Sequence, residues 1–168
     1  MAKKKEEKTN VMRTLEQKKI SFSAHTYPHE DGVAVDGVTV AAMLEQDPGA
    51  VFKTLVAKGA GGGYYVFDIP VAETLDLKKA ARAVGEKSIA MLPSKELLPL
   101  TGYVHGGCSP VGMKKLFPTV FHESCLSYDT IMVSAGKIGY QVEVKPADLI
   151  ALVGGKTADL TVSPDLTL

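Results

Sequence analysis

The sequence predicts an α+β domain with a mixed, curved or closed sheet. Segments typical of strands, about seven, outnumber the four or five segments with helical periodicity. The helical segments do not alternate strictly with strands, as they would in a doubly wound parallel sheet. A length of 168 residues, 45% of them apolar and 23% charged, is sufficient for one domain with its own core. We therefore expect a single domain over residues 9–168 after a flexible tail over residues 1–8.

The first third of the chain begins with a helix and a strand. Val11, Met12 and Leu15 recur at helical spacing, whereas apolar and polar residues alternate in the segment that follows. Glycine and proline then mark a loop, after which Thr39 is placed to cap a short helix. In order, we expect a helix near 9–19, a strand over 21–27, a loop over 28–38 and a helix over 39–44.

The middle of the chain contains a predicted β-hairpin, because two apolar segments flank a stretch with four glycines. Asp76 is a good N-cap and Gly85 a good terminal glycine for the helix between them. Ser94 is placed to cap another short helix that ends before Pro99. These signals predict strands over 50–57 and 64–69, a helix over 77–84, a strand over 87–92 and a helix over 94–98.

The last third starts with an irregular segment, residues 101–112, which holds four glycines and one proline. Short apolar segments separated by a glycine turn follow it. Pro146 is suited to the first position of a final helix, which the Gly154–Gly155 pair ends. We expect strands over 119–122, 130–134 and 139–144 before that helix.

The charge balance excludes a general nucleic-acid binder, because nineteen basic residues match nineteen acidic ones. Charge is nevertheless uneven: residues 25–50 hold five acids and no Lys or Arg, and residues 78–115 hold seven bases and two acids. Such asymmetry can steer a polyanion to one face, although solvated helix faces give the same pattern. Because arginines number only two, lysines are the expected phosphate contacts. The candidates are Lys78, Lys79, Lys114 and Lys115.

Targeting and redox signals favour a cytoplasmic protein. No apolar run approaches the ~18 residues of a membrane span, and the charged start lacks the apolar core of a secretory signal. Cys108 and Cys125 are too few for a disulfide framework and lack metal-binding spacing. The four histidines also lack such spacing. We expect no membrane partner, no metal and no cofactor.

Lys53 is the most informative single residue. It lies in the middle of a predicted strand that is apolar on both faces, where a lysine must reach a cavity or lose hydration. A charged lysine in a cleft of low dielectric constant binds phosphate or a developing oxyanion strongly. The alternative is an edge-strand lysine whose ammonium reaches solvent.

The glycine-rich segment 101–112 is the second candidate for a site. The Gly106–Gly107 pair allows close backbone approach to a ligand, or simply makes a structural turn. The segment matches neither a P-loop nor a dinucleotide motif, and Ser109 lacks the G-x-S-x-G context of a nucleophile. Cys108 has no assignable base, so we expect an unreactive thiol. His25 in its strand is expected to be structural.

Several short motifs in order resemble the YbaK/EbsC group of aminoacyl-tRNA editing proteins. The resemblance covers about residues 11–160 and rests on the order and spacing of six pieces. In order, they are His25-Thr26-Tyr27, Asp47-Pro48, Val51-Phe52-Lys53-Thr54-Leu55, Leu75 to Ala81, Thr101 to Gly112, and Val133 to Lys137 followed by Gly139.

The resemblance implies a relative of the editing domain of prolyl-tRNA synthetases, with a barrel-like mixed sheet flanked by helices. It implies hydrolysis of mischarged aminoacyl-tRNA, foremost Cys-tRNA(Pro), through attack by the substrate's own thiol, with Ala- or Ser-tRNA(Pro) as alternatives. The implied partners are the tRNA acceptor end and a prolyl-tRNA synthetase. A non-catalytic module that binds a nucleotide or a synthetase is the alternative from another class.

The resemblance also implies the site residues. Lys53 matches the essential lysine of the family. The implied substrate-binding residues are Tyr27, Thr54, Gly106, Gly107, Ser134 and Gln141. Gln141 stands where some members carry an aspartate, so a general-base role does not transfer to it, whereas a hydrogen bond to the ligand does.

Overall fold

The computed structural model describes residues 8–163 and contains five α-helices and eight strands within them. The predicted N-terminal tail therefore lies outside the described residues, except for Lys8. The helices are α1 (Asn10–Gln17), α2 (Gly37–Met43), α3 (Leu77–Val84), α4 (Ser94–Thr101) and α5 (Pro146–Val153). The strands are β1 (Phe22–Thr26), β2 (Phe52–Gly59), β3 (Tyr64–Pro70), β4 (Ile89–Met91), β5 (Thr119–His122), β6 (Ile131–Ser134), β7 (Tyr140–Val144) and β8 (Lys156–Ala158).

The strands form two sheets. One has the order β4-β2-β3-β5-β8, in which β5 pairs in parallel with both of its neighbours and the other pairs are antiparallel. The second is antiparallel, with the order β1-β7-β6. A parallel bridge between Val51 and Met132 connects them where β2 begins. The predicted α+β class with a mixed sheet is confirmed.

Apolar residues pack on both sheets. Leu15 of α1 and Leu149 of α5 are fully buried in one cluster with the inward side chains of the three-stranded sheet. Ala80 of α3 is fully buried against Phe67 and Ile69 of the larger sheet. Within the described part of the chain, no helix is long and apolar enough to cross a membrane.

Most predicted elements are present, and the helix α3 has the predicted ends. The Asp76 carboxylate accepts from the backbone N–H groups of Lys78 and Lys79, and Gly85 has φ +73°. Because this φ lies in the left-handed region, glycine is favoured there. The residues at its two ends were therefore sufficient to predict the bounds of this helix.

Two predicted caps were wrong. The side chain that caps α2 is Asp36, which accepts from the backbone N–H of Thr39 at 3.0 Å and from its hydroxyl at 2.6 Å, so the helix begins at Gly37. No side chain caps α4, and the helix continues through Pro99 to Thr101. The Thr101 hydroxyl donates to the carbonyl of Leu97 at 2.7 Å and stabilises the last turn.

The short strand β8 has no local pattern that predicts it. Its three residues are held by parallel pairing of Lys156, Thr157 and Ala158 with β5. A partner distant in sequence therefore decides this element.

Candidate functional site

A cavity of about 300 Å³ lies at the junction of the two sheets. Strand β2 with Val51 forms its floor, the start of α2 forms one wall, and the glycine-rich segment 101–112 forms another. Side chains from β6 and β7 complete it. The cavity has the size of a small ligand site and combines apolar walls with a few polar groups.

Six of the seven predicted site residues line this cavity, although they lie far apart in the sequence. They are Tyr27, Lys53, Thr54, Gly106, Ser134 and Gln141. The seventh, Gly107, is not part of the lining. A Cβ atom at Gly107 would lie 3.1 Å from the backbone nitrogen of Ile138, so this glycine allows the segment 101–112 to pack on the turn after β6.

Lys53 lies at an edge of β2 that no neighbouring strand covers. Strand β4 pairs only with Ala57–Gly59, so the first half of β2 borders the cavity, and residues 51–55 all line it. The Lys53 side chain makes no hydrogen bond or ion pair with any described residue. Burial lowers the pKa of its ammonium, and the charge of Glu73 opposes this shift. The site therefore holds a half-buried cation that is available to an anionic group of a ligand.

Thr54 is linked to a buried carboxyl group that the sequence analysis missed. Its hydroxyl donates to Oδ1 of Asp68 at 2.6 Å, and the two residues are register partners in β2 and β3. Asp68 is fully buried, and burial raises its pKa to about 7 against the opposing effect of the Thr54 hydrogen bond. An acidic residue inside the apolar strand Tyr64–Pro70 was the available sequence signal.

The glycine-rich segment contributes backbone and a second residue that was missed. Gly106 has φ +87°, and a Cβ atom there would lie 2.7 Å from the Cβ of Ala34, so only glycine fits. The neighbouring His105 lines the cavity as well. The segment is tied to itself by the Tyr103 hydroxyl, which donates to the carbonyl of Val111.

The antiparallel pair β6–β7 places Ser134 opposite Gln141. The Ser134 hydroxyl accepts from the backbone N–H of Gly136 at 3.1 Å, which fixes the following turn. Gln141 is only 7% exposed, and its Oε1 atom has no hydrogen-bond partner among the described residues. A buried acceptor without a partner at the wall of a cavity is suited to a donor on a ligand.

The two thiols lie in unreactive environments, as expected for Cys108. Burial raises the pKa of Cys108 to about 12 and that of Cys125 to about 11, in each case with a smaller contribution from the charge of Asp68. Because the thiolate is the nucleophile, neither thiol is activated near neutral pH. His25 is structural, since its Nε2 lies 2.9 Å from a carboxylate oxygen of Glu143 on the neighbouring strand.

Metal-binding side chains do not gather at the cavity. Among residues 8–163, no group of three or more His, Cys, Asp or Glu side chains is arranged to hold a metal ion. The polar groups that line the cavity include the Lys53 ammonium, hydroxyls, the Gln141 amide, the Asp36 carboxylate, the His105 imidazole and the backbone of a glycine turn. This set suits an anionic and hydrogen-bonding ligand.

Comparison with known proteins identifies the family. The model of the aminoacyl-tRNA editing domain matches residues 32–152, which include most of the cavity. The chain belongs to this editing-domain family. The predicted resemblance is thereby confirmed.

Relatives of the editing domain include a protein of Enterococcus faecalis, EbsC, whose name ascribes to it a Cys-tRNA(Pro)/Cys-tRNA(Cys) deacylase activity. It is 44% identical over 163 residues, which cover 96% of this chain and 98% of the relative. A crystal structure described as a trans-editing enzyme for prolyl-tRNA synthetase is similar with a TM-score of 0.77, at 28% identity and over 91% of this chain and 95% of that one. The structure of the protein APE2540 has a TM-score of 0.80 at 22% identity, over 90% of this chain and 99% of that one, and supports the fold.

Proposed function

We propose that this chain is an aminoacyl-tRNA deacylase that acts on mischarged tRNA in trans, and foremost on Cys-tRNA(Pro). The observation that carries the proposal is that the half-buried Lys53 ammonium lines a cavity whose thiol, that of Cys108, is not activated. Membership of the editing-domain family and the 44% identity to EbsC support the reaction class. Residues 9–168 act as one editing domain in this proposal.

In the proposed reaction the substrate supplies the nucleophile. The sulfur of the cysteinyl group attacks its own ester carbonyl carbon, and the bond from that carbon to the ribose oxygen breaks. The thiol proton passes to the ribose oxygen, which frees the tRNA and leaves a cyclic thioester that water opens to cysteine. Intramolecular attack can have an effective molarity of ~10⁵ M or more when the reacting atoms are well oriented. The protein therefore needs to orient the ester rather than attack it.

Lys53 has an electrostatic role in this reaction. Its ammonium has no hydrogen-bond or ion-pair partner within residues 8–163 and borders the same cavity as the glycine turn at Gly106. It can bind the terminal phosphate of the acceptor end or the oxyanion that forms at the carbonyl carbon. Burial raises the pKa of the Cys108 thiol to about 12, which disfavours this thiol as a nucleophile near neutral pH.

The tRNA acceptor end is the proposed partner, and lysines outside the cavity attract its phosphates. Lys78, Lys114 and Lys115 are exposed. Lys79 is the weakest candidate of the four, because its ammonium binds the carboxylate of Asp159 at 2.9 Å and two further oxygens near the end of the described chain. Selection of tRNA(Pro) by so few basic groups requires help, which a prolyl-tRNA synthetase partner would supply. We also propose a cytoplasmic location, since that is where an aminoacyl-tRNA substrate is expected.

Deacylation assays test the proposal. Wild-type protein should release cysteine from Cys-tRNA(Pro), and Lys53→Ala should not. Lys58→Ala is the matched control, since Lys58 lies in the same strand but is exposed and contacts the Tyr64 ring, 5.7 Å from its ammonium. Preferred release of alanine or serine would identify the alternative substrates. Binding of an aminoacyl-adenosine analogue without any release would identify a non-catalytic binding module.

A further inference from the structure

Asp68 is a buried carboxyl group with only one of its two oxygens hydrogen-bonded among the described residues. It is fully buried on β3, and Thr54 is the partner of its Oδ1 atom, whereas Oδ2 has no hydrogen-bond partner among the described residues. Its strand neighbours on the same face, including Val66, pack in an apolar cluster with Cys108. A half-satisfied buried carboxyl group costs stability, and an apolar residue of similar size would avoid that cost.

The carboxylate fixes the direction of the Thr54 hydroxyl. A hydroxyl has one hydrogen and two lone pairs, and an ionised carboxylate accepts hydrogen bonds only. With its hydrogen directed to Asp68, the Thr54 oxygen can meet a ligand only as an acceptor. Thr54 lines the cavity, and the Gln141 oxygen without a partner lines it too. The Asp36 carboxylate, which accepts from Thr39, lines the cavity as well. These acceptors in one small cavity favour a ligand group that is rich in donor hydrogens.

We propose that Asp68 is a positioning residue that holds the Thr54 hydroxyl as an acceptor for the α-ammonium of the aminoacyl group. This inference rests on the proposed function, since it concerns the substrate of that cavity. It assigns recognition of the free amine to the Asp68–Thr54 pair, with Gln141 as the second acceptor. Asp68 itself acts through Thr54 and does not touch the substrate.

The experiment measures binding, so it does not depend on turnover. Two stable amide analogues are compared by calorimetry at about pH 7.5, above the pKa of about 7 of Asp68 and below the usual ~7.7–8.0 of an α-ammonium. One is 3′-deoxy-3′-cysteinylamino-adenosine, and the other carries a 3-mercaptopropionyl group and so lacks only the amine. Wild-type protein should bind the amine analogue about tenfold more tightly, the size expected for a hydrogen bond to a charged group.

Four variants distinguish the orientation of the Thr54 hydroxyl from the charge of Asp68 and from side-chain packing around the two residues. Thr54→Val and Asp68→Val should each lower the ratio of the two affinities to about one. Thr54→Ser retains the hydroxyl and Asp68→Asn retains an acceptor oxygen for it, so both should keep most of the preference. Asp68→Ala replaces Asp68→Val if the valine variant does not fold, as judged by its thermal unfolding.

Thr119→Val is the control for loss of a buried threonine hydroxyl. Thr119 is 4% exposed, donates to the carbonyl of Phe117 and lies outside the cavity lining, so its variant should keep the wild-type ratio.

Three results would overturn the inference: a ratio near one in wild-type protein, an unchanged ratio in Asp68→Val, or equal losses in Asp68→Asn and Asp68→Val. Failure of the proposed function is distinguishable, because wild-type protein would then release no amino acid from Cys-tRNA(Pro), whether or not it binds the two analogues.

Discussion

Lys53 and Lys79 both lie within secondary structure, but their ammonium groups differ in whether the described residues supply oxygen partners for them. The Lys79 ammonium has three oxygen partners, from Asp159, Thr161 and Ser163. The Lys53 ammonium has none among the described residues, and burial lowers its pKa. Lys79 joins α3 to the chain that follows β8, whereas Lys53 borders a cavity. A cation with satisfied internal partners is structural, and one without them is available to a ligand.

The largest expected effect is the loss of deacylation activity when Lys53 is replaced. Lys53→Ala should lower kcat/KM for Cys-tRNA(Pro) by about 10²-fold or more, the loss typical of an electrostatic donor to a transition state. Lys53→Arg should also be poor, because a planar guanidinium does not reproduce a compact ammonium. Single-turnover release of cysteine measures both.

Lys79→Ala provides the contrast. Its activity should stay close to wild type, while the free energy of unfolding falls by about 1 kcal/mol, because a partly exposed ion pair is screened by solvent. Activity loss in Lys79→Ala as large as in Lys53→Ala would remove the distinction between the two lysines.

The next largest effect is on the rate of ester cleavage, and it depends on whether the substrate or the enzyme supplies the nucleophile. A double Cys108→Ala, Cys125→Ala variant should retain cleavage of the cysteinyl ester, since burial keeps both thiols protonated. Seryl ester on the same tRNA should react about 10²-fold more slowly, because a hydroxyl is a much weaker nucleophile near neutral pH. Matched Cys- and Ser-tRNA(Pro) assays compare these rates.

The thiol mechanism has a clear opposite outcome. Equal rates for the two esters would show that water is activated instead of the substrate thiol. Abolition of cleavage by Cys108→Ala in a folded protein would assign the nucleophile to the enzyme.

The carboxyl next to the cavity should make stability depend on pH. Asp68 has a folded-state pKa of about 7, above its ordinary value of 3.8, so the folded state binds more protons between these values. Stability from this group is present below about pH 4 and falls as pH rises to about 7, by at most about 1.4 kcal/mol per pH unit. Urea unfolding of wild type and Asp68→Asn at several pH values isolates this contribution. Parallel curves for the two proteins would contradict it.

The smallest effect is on tRNA affinity. Binding should be weak and dependent on salt, and removal of Lys78, Lys114 or Lys115 should each lower the salt slope by about one unit or less. Lys79→Ala should leave the slope unchanged, because its charge is already paired. Filter binding at several salt concentrations measures the slopes, and a reduced slope in Lys79→Ala would show that its internal partners do not withhold it from tRNA.

The sequence by itself determined the elements whose signals are local. Asp76 and Gly85 define α3, the glycines after Lys58 separate the hairpin strands, and Pro146 begins α5. Ordered motifs also predicted the family and six residues that line the cavity, because motif order reports common ancestry even where residues are far apart.

Only the tertiary structure decided which charges are free and which are paired. Lys79 meets Asp159 eighty residues later, Asp68 meets Thr54 across a hairpin, and β8 exists through pairing with β5. None of these has a local signal, because the energy of a polar group depends on the partners and solvent that the fold brings to it. The sequence therefore predicted the lysine of the cavity, whereas only the fold shows that it has no hydrogen-bond or ion-pair partner in the part of the chain that the structure describes.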